Sequence, residues 1–487
     1  MKAGKLIASI LVIATALAMC ACKPSSSKET DDPTEKTSEK KPTGTITTDT
    51  EDPTDTSGGT EPSSEPSVPS TVTDESTDPL VIDGYDKDFE QTLADYLTDI
   101  EYEYVYIEPS TYIKELNNAI VLGEKKPDLF LMDADNLEAW TASEHSIGIE
   151  QVGIGRQELS DQFKYTYDAA TNDENSIKAL AFELQPSVVF YNRAEAEQCL
   201  GTADPSKVAP MVSSWDTLLE YAREVSMNSE GAKKLLADRT QISNVFWAGH
   251  TTPWVEDGAV KTDVDFDKYV ALQSTLYHET LTMDLSYGST EWQQAIADGQ
   301  CVLFFGSLKT AADVIGYIPG HKEVEETTTS TETDSTGTTE STTTPPETGW
   351  SIVPAATPSF DGGMWLMVAS TCDRKETAGK VLRTLTTDET VLTDLAVKGQ
   401  FVNSVSIMEK CAADPNFTSD FLRGQNPYTI LVPEAKKIEI SKNITIQKYA
   451  VAEIDKLLPS YYEGEIETID EFKELFTVGL SELLGLA

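Results

Sequence analysis

This 487-residue chain has few positively charged residues for its number of acidic ones. Its 37 lysines and arginines stand against 82 aspartates and glutamates, which gives a formal net charge of −45. A chain with this balance repels the phosphates of nucleic acids and the headgroups of anionic lipids. Polyanions are therefore excluded as expected ligands, and no nucleic-acid partner is expected.

Histidine and catalytic motifs are scarce as well. The chain has four histidines, which are scattered singly: His145, His250, His278 and His321. It contains no Gly-x-Ser-x-Gly nucleophile elbow, no His-Glu-x-x-His helix and no phosphate-binding loop. A glycosidase needs two carboxylates, but pairs carry little information among 82 acidic residues. We therefore expect no enzyme, no metal ion and no cofactor, and keep a surface glycosidase as a less favoured alternative.

Cysteine is rare, with six residues in the chain. The four that follow the N-terminal region lack the paired spacing of a zinc site: Cys199, Cys301, Cys372 and Cys411. Cys301 and Cys372 lie in apolar runs and are predicted to be buried thiols. A disulfide can form outside the cytoplasm, so the pairing of these cysteines stays open.

Long apolar runs are absent except near the N-terminus. There, residues 6–18 form an apolar run that is shorter than the ~20 residues of a membrane-spanning helix. With the lysines before it, this run predicts a signal peptide over residues 1–21. The segment 17–22 resembles a bacterial lipobox, so we expect lipidation at Cys22, with Cys20 as the alternative. A plain secretory signal with incidental cysteines is the competing interpretation.

Two segments have almost no apolar residues. Residues 22–79 consist almost wholly of Ser, Thr, Pro, Gly and charged residues, and cannot bury enough surface to offset the entropy of ordering. We predict a disordered tether that holds the body at the outer face of the cell membrane, and its length favours a Gram-positive envelope. A Thr-rich segment over 323–349 predicts a disordered insertion.

The rest of the chain alternates between helical and strand patterns. Strands are predicted at 101–107, 127–133, 188–191 and 301–305. Helices are predicted at 88–97, 112–122, 215–225 and 266–277, and 444–484 is mostly helical. This rhythm indicates the α/β class, and a body of about 400 residues is expected to form two domains.

Four segments, in this order, resemble the carbohydrate-binding branch of the extracellular solute-binding proteins of ABC importers, which includes maltose-binding protein. The first is Lys-Pro-Asp-Leu-Phe-Leu-Met-Asp at 126–133. The second joins 179–193, with its Tyr-Asn pair, to Ser-Trp-Asp at 214–216. The third is 292–306, and the fourth joins 349–354 to Gly-Gly-Met-Trp at 362–365. No single motif is specific to the family, but four motifs in the same order over about 400 residues are strong evidence for the resemblance.

The resemblance implies two α/β lobes joined by a hinge of crossing strands, with the ligand between them. Lobe 1 would comprise 79–183 and 356–405, and lobe 2 would comprise 184–350 and 406–487. Hinge closure would capture a sugar or oligosaccharide for an ABC permease.

A sugar site needs flat aromatic side chains and polar groups around them. Trp365, beside two glycines, is the first candidate platform. Asp133 and Asp135 close a predicted strand, where α/β sheets place their ligands. Further candidates lie near the expected hinge or at matching positions of the resemblance: Glu183, Gln185, Tyr191, Trp247, Trp254, Gln425 and Asn426.

Two alternatives keep the fold and change the partner. An acidic cleft also suits a peptide, a polyamine or another cationic solute. A surface adhesin would instead use aromatic patches outside the cleft.

Overall fold

The computed structural model describes residues 66–123, 126–318, 320, 349–440 and 444–486. The predicted signal peptide, Cys20, Cys22 and most of the predicted tether and insertion lie outside the described residues. No described helix is long and apolar enough to cross a membrane.

The strands range from two-residue bridges to a strand of 14 residues. In chain order they are β1 Leu80–Gly84, β2 Tyr102–Tyr106, β3 Leu129–Asp133, β4 Ser146–Ile147, β5 Ala179–Asn192, β6 Val255–Glu256, β7 Ala259–Val260, β8 Leu303–Gly306, β9 Trp350–Val353 and β10 Ser359–Ala369.

The helices surround the strands on both faces. In chain order they are α1 Lys87–Tyr96, α2 Tyr112–Leu122, α3 Ala134–Ala142, α4 Lys164–Ala169, α5 Arg193–Leu200, α6 Pro205–Met211, α7 Trp215–Asn228, α8 Thr240–Ala248, α9 Val264–His278, α10 Thr290–Ala297, α11 Leu308–Ile315, α12 Lys375–Thr386, α13 Glu389–Val397, α14 Val405–Ala413, α15 Tyr428–Ala435, α16 Ile444–Tyr462 and α17 Ile469–Leu484. Short 3-10 turns occupy Ile149–Val152, Arg156–Leu159 and Pro415–Phe417.

The main sheet is mixed, with strand order β2-β1-β3-β10-β5-β8, and confirms the predicted α/β class. Strands β1, β2 and β3 are parallel. Strand β10 runs antiparallel to both β3 and β5. Strands β8 and β9 extend the sheet on the C-terminal half of β5.

Strand β5 supplies two hydrophobic cores by side-chain alternation. Val188 and Phe190 are buried in the first core, with β1, β3, β10 and α12. Val189 and Tyr191 are buried in the second core, with helices α5, α7, α9, α16 and α17. Successive residues of a strand face opposite sides of the sheet, so one strand ties the two cores together.

The C-terminal third of the chain divides between the two cores. In α14 and α15, Ile407, Met408 and Leu431 are fully or almost fully buried in the first core. Helices α16 and α17 bury Ile454 and Phe476 in the second core. The boundary between the cores therefore falls between α15 and α16, because the apolar faces of α14 and α15 pack against β5 and its neighbours.

The cysteines of the body are buried free thiols: Cys199, Cys301, Cys372 and Cys411. Burial raises the pKa of Cys411 to about 11 and that of Cys301 to about 12. Cys301 and Cys372 thus have the predicted environment.

The last residues of the predicted tether are fixed on the body. The carboxylate of Asp74 accepts hydrogen bonds from the Thr377 N–H at 3.0 Å and from the Thr377 hydroxyl at 2.5 Å, and it pairs with Arg374 at 3.2 Å. The Glu75 N–H donates to the Asp373 carbonyl at 2.6 Å. Composition missed this contact because Asp74 completes the first turn of α12, whose own N-cap residue, Arg374, offers no acceptor.

We predict that Asp74→Ala lowers the free energy of unfolding by about 1 kcal/mol, as loss of a helix cap does. Burial raises the pKa of Asp74, but the hydrogen bonds from Thr377 and Arg374 outweigh burial and hold that pKa below its ordinary value. Because the folded-state pKa is depressed, the stabilisation is present above about pH 4 and is lost as the pH falls through the folded value.

Urea unfolding of the full chain at several pH values measures this difference, with the exposed Asp78→Ala as the control. Equal losses in both variants, or a loss at Asp74 that does not vanish in acid, would contradict the capping role.

Candidate functional site

A cleft of about 730 Å³ is lined by elements of both cores. One wall comes from the loop after β1, the start of α3 and the strands β5 and β10. The other comes from α8, α11 and α16. The cleft therefore lies where the predicted hinge joins the two parts of the body.

Three carboxylates lie along the sheet edge at the floor of the cleft. Two of them, Asp133 and Glu183, both pair with Met364 of the strand between them. Asp133, Met364 and Glu183 therefore form one row across β3, β10 and β5. Asp86 follows β1, the parallel neighbour of β3. Asp86 and Asp133 also cap α1 and α3 through hydrogen bonds from the first helical N–H groups.

Glu183 is the carboxylate on the hinge strand. It accepts a hydrogen bond from the Gln185 amide at 3.0 Å. Burial raises the pKa of Glu183, the Gln185 hydrogen bond and Lys309 oppose this rise, and Asp86 adds to it. The carboxylate is thus held in a partly dehydrated position where it gains from any further hydrogen-bond donor.

Four aromatic side chains line the cleft: Tyr85, Trp247, Tyr287 and Phe360. Tyr85 packs edge-on against Tyr112 with ring centroids 4.9 Å apart. Phe360 stacks on Tyr165 at 5.5 Å. Burial and the charges of Asp133, Asp86 and Glu183 raise the pKa of Tyr85 well above its ordinary value. Its hydroxyl therefore stays protonated and can donate to a ligand.

Two glycines of β10 bring this strand close to β5. Gly362 and Gly363 have φ of 122° and 145°, and a side-chain carbon on Gly363 would lie 2.9 Å from the Glu183 carbonyl. The pairing between β10 and β5 shifts register at this point. The glycines thus form a bulge that only residues without a side chain can adopt.

Three buried polar atoms of cleft residues lack a partner among the described residues. They are the indole nitrogen of Trp247, a donor, the amide oxygen of Gln447, an acceptor, and the hydroxyl of Ser243. The Gln447 amide nitrogen donates to the Trp247 carbonyl at 2.8 Å, so the two residues are adjacent. Orphaned polar groups of this kind are costly unless a ligand or water satisfies them.

Contacts between α3 and α16 bridge the two walls. The Lys448 ammonium lies 2.7 Å from the Asp135 carboxylate. The Glu138 carboxylate accepts hydrogen bonds from the N–H and the hydroxyl of Thr445, in the first turn of α16. These contacts link helices of opposite cores across the cleft.

Half of the candidate residues predicted from sequence line the cleft: Asp133, Asp135, Glu183, Gln185 and Trp247. Asp133 caps α3 and also lines the cleft. The carboxylate of Asp135 forms an ion pair with Lys448. Trp247 lies in α8.

The candidate platform Trp365 lies elsewhere. Its side chain is 1% exposed, and its indole N–H donates to the Thr166 carbonyl at 3.1 Å. Because Met364 lines the cleft, strand alternation turns Trp365 to the opposite face of the sheet. The neighbouring Gly362 and Gly363 form the bulge in β10 instead.

Tyr191 and Trp254 are core residues rather than cleft residues. Tyr191 is fully buried, and its hydroxyl donates to the Ala203 carbonyl at 2.9 Å. Trp254 packs between Trp247 and Phe476 at 5.1 and 5.7 Å between ring centroids. Both side chains fill the second core.

Gln425 and Asn426 are also structural. The Gln425 amide exchanges two hydrogen bonds of 2.9 Å with the backbone of Ile352 in β9. The Asn426 amide donates to the carbonyls that end α14, at 2.8 Å for Cys411. Neither residue lines the cleft.

Sequence reasoning missed several residues of the cleft: Tyr85, Asp86, Asn244, Tyr287, Lys309, Phe360, Asp361, Glu439, Gln447, Lys448 and Asp455. Tyr85 and Asp86 follow strand β1, so the rule that selected Asp133 would have found them. The α16 residues carry no local signal, because a helix that faces a cleft and a helix that faces solvent share the same polar pattern.

The fold is shared with solved sugar-binding proteins. One is the galacto-N-biose-/lacto-N-biose I-binding protein of the ABC transporter from Bifidobacterium longum, in complex with lacto-N-biose. It is 16% identical with a TM-score of 0.60, over 84% of this chain and 98% of that one. Another is the sugar-binding protein MalE from Xanthomonas citri, 10% identical with a TM-score of 0.63, over 84% of this chain and 99% of that one.

A third solved structure is an extracellular solute-binding protein of family 1. It is 14% identical with a TM-score of 0.64, over 83% of this chain and 99% of that one. These likenesses confirm the predicted two-lobe fold. No curated protein matches the chain in sequence.

The family described as bacterial extracellular solute-binding protein matches residues 84–423. This match begins at the end of β1 and reaches past α14, so it includes the hinge strand β5 and both glycines of the bulge. The chain belongs to the bacterial extracellular solute-binding protein family.

Proposed function

We propose that this chain captures a sugar or oligosaccharide in the cleft by hinge closure and delivers it to an ABC transporter permease without catalysis. The observation that carries the proposal is the composition of the cleft. Four aromatic side chains stand among amides and carboxylates in a space of about 730 Å³ between the cores.

This composition matches the chemistry of a pyranose ring. The C–H faces of a sugar pack on flat aromatic rings, while its hydroxyls donate and accept hydrogen bonds. Hydroxyls can satisfy both the orphaned Trp247 donor and the Gln447 acceptor. Carboxylates such as Glu183 and Asp361 accept from the remaining hydroxyls.

The solved relatives support the same ligand class. The Bifidobacterium longum protein binds lacto-N-biose, and the Xanthomonas citri protein is a sugar-binding protein. The ABC transporter named for the first of these supports a permease as the partner here. A lipid anchor at Cys22, or at Cys20, would hold the receptor beside that permease at the outer face of a Gram-positive membrane.

Closure has a physical basis in the contacts that cross the cleft. Strand β5 lines the cleft through Glu183 and Gln185, so bending near Gln185 and Pro186 would change the distance between α3 and α16. The bridges from Asp135 to Lys448 and from Glu138 to Thr445 stabilise the arrangement in which the walls approach.

A saccharide that binds the cleft should raise the thermal unfolding midpoint of the full chain. A ligand that binds only the folded state adds about 2.7 kcal/mol at a hundredfold excess over its Kd. We expect Tyr287→Ala to weaken the affinity about fivefold to tenfold, because an aromatic face contributes about 1 kcal/mol.

Tyr449→Ala is the matched control, since both tyrosines are 36% exposed and only Tyr287 lines the cleft. A midpoint that no saccharide moves would overturn the proposal. Hydrolysis of a bound sugar would overturn the non-catalytic role.

The bridge between α3 and α16 predicts the ligand-free shape of the protein. Lys448→Ala removes the ion pair with Asp135, so the open arrangement gains population and the radius of gyration from small-angle X-ray scattering should increase. Lys436→Ala removes a pair with Glu409 between α15 and α14, within one core, and should leave the radius unchanged. Identical scattering from both variants and the unchanged protein would show that the bridge does not hold the walls together.

A further inference from the structure

The cleft is more acidic than a site for neutral hydroxyls requires. Seven carboxylates line it, against two lysines: Asp86, Asp133, Asp135, Glu183, Asp361, Glu439 and Asp455, with Lys309 and Lys448. Two positive and seven negative charges leave a formal charge of −5. Lys448 is already paired with Asp135, so most of this charge is not balanced by the protein.

The imbalance is concentrated around Tyr85. Among the described residues, no lysine or arginine forms an ion pair with Asp86, Asp133 or Glu183, while ion pairs are frequent elsewhere on the body. All three carboxylates line the cleft together with Tyr85: Asp86 follows Tyr85 in the chain, and Asp133 and Glu183 flank Met364 in the sheet. The N-termini of α1 and α3 partly offset Asp86 and Asp133, whereas Glu183 has only the Gln185 amide and the more distant Lys309.

An aromatic ring beside several carboxylates is a receptor for an organic cation. A cation is attracted to the face of a tyrosine ring and gains further from a charge-assisted hydrogen bond. An ammonium group between Tyr85 and Glu183 would have both contacts. A neutral hydroxyl at this point would leave the excess charge uncompensated.

The Trp247 indole points to a second property of the ligand. This side chain lines the cleft and is 2% exposed, and its N–H has no acceptor among the described residues. An alkylammonium ion carries donors only, so a polyamine cannot satisfy Trp247. A sugar hydroxyl can, which favours a ligand that joins an amine to hydroxyl groups.

We propose that the solute is an amino sugar, as a monosaccharide or within an oligosaccharide, whose free ammonium group binds Glu183 beside the ring of Tyr85. This inference rests on the proposed carbohydrate function and names the substrate class. Asp86 and Asp133 add long-range attraction, and Lys309 on the facing wall limits the site to one ammonium group.

Calorimetric titration of the full chain with matched sugars tests the proposal. The pairs are glucosamine with glucose, galactosamine with galactose, and the β-1,4-linked trimers of glucosamine and of glucose, in which an amine replaces a hydroxyl of similar size. We expect the amine member to bind at least about tenfold more tightly. We expect raising the salt from about 50 mM to about 500 mM to reduce this preference, because screening weakens charge pairs only.

Glu183→Gln retains the shape and a hydrogen-bonding amide at the hinge, and should abolish the preference for the amine member of each pair. Glu220→Gln, on the exposed face of α7, should leave the preference unchanged. The salt dependence of the unchanged protein gives an answer even if Glu183→Gln does not fold.

Each outcome separates this inference from the carbohydrate function. Tighter binding of neutral sugars, or a preference that survives Glu183→Gln or high salt, overturns the amino-sugar assignment and leaves the carbohydrate function standing. Binding of spermidine or a lysine-rich dipeptide without binding of any sugar overturns both.

Discussion

The pairing of β5 with β10 is the constraint on which the rest of the structure depends. Strand β5 contributes alternate side chains to both cores. Strand β10 pairs with the N-terminal half of β5 on one side and with β3 on the other, and so joins β5 to the parallel strands β1 and β3. The bulge at Gly362 and Gly363 lies beside the hinge residues Glu183 and Gln185. The chain connection, the cleft-lining residues Glu183 and Gln185 and the proposed pivot of closure therefore share one short stretch of paired backbone.

The elements with strong periodicity could be predicted from the sequence, because local pattern and tertiary packing agree in them. Helix α2 and strand β3 lie where the pattern placed them. The contact between Asp74 and the first turn of α12 could not be predicted, because a polar segment gives no sign that a distant helix lacks a cap. The core that α14 and α15 join could not be predicted, because apolar faces do not reveal which of two cores they pack against.

The candidate site also contains residues that could be predicted from the sequence and residues that could not. Strand-end residues such as Asp133 were predictable, because parallel strands place their carboxyl ends at one edge. Trp365 was not, because one residue of register decides whether a strand side chain faces the cleft or the core, and the bulge that sets the register is a tertiary feature. Aromatic residues are ambiguous for a related reason: Trp247 and Trp254 are in contact, yet only one of them lines the cleft.

The docking of Asp74 on α12 has a mechanical consequence. At Asp74, an ion pair and hydrogen bonds pass the load of a pull from the N-terminal side of the chain to α12. Helix α12 is anchored in the first core through Val381 and Leu385. The load therefore enters the first core through α12, which follows the end of β10 that lies farther from the glycine bulge.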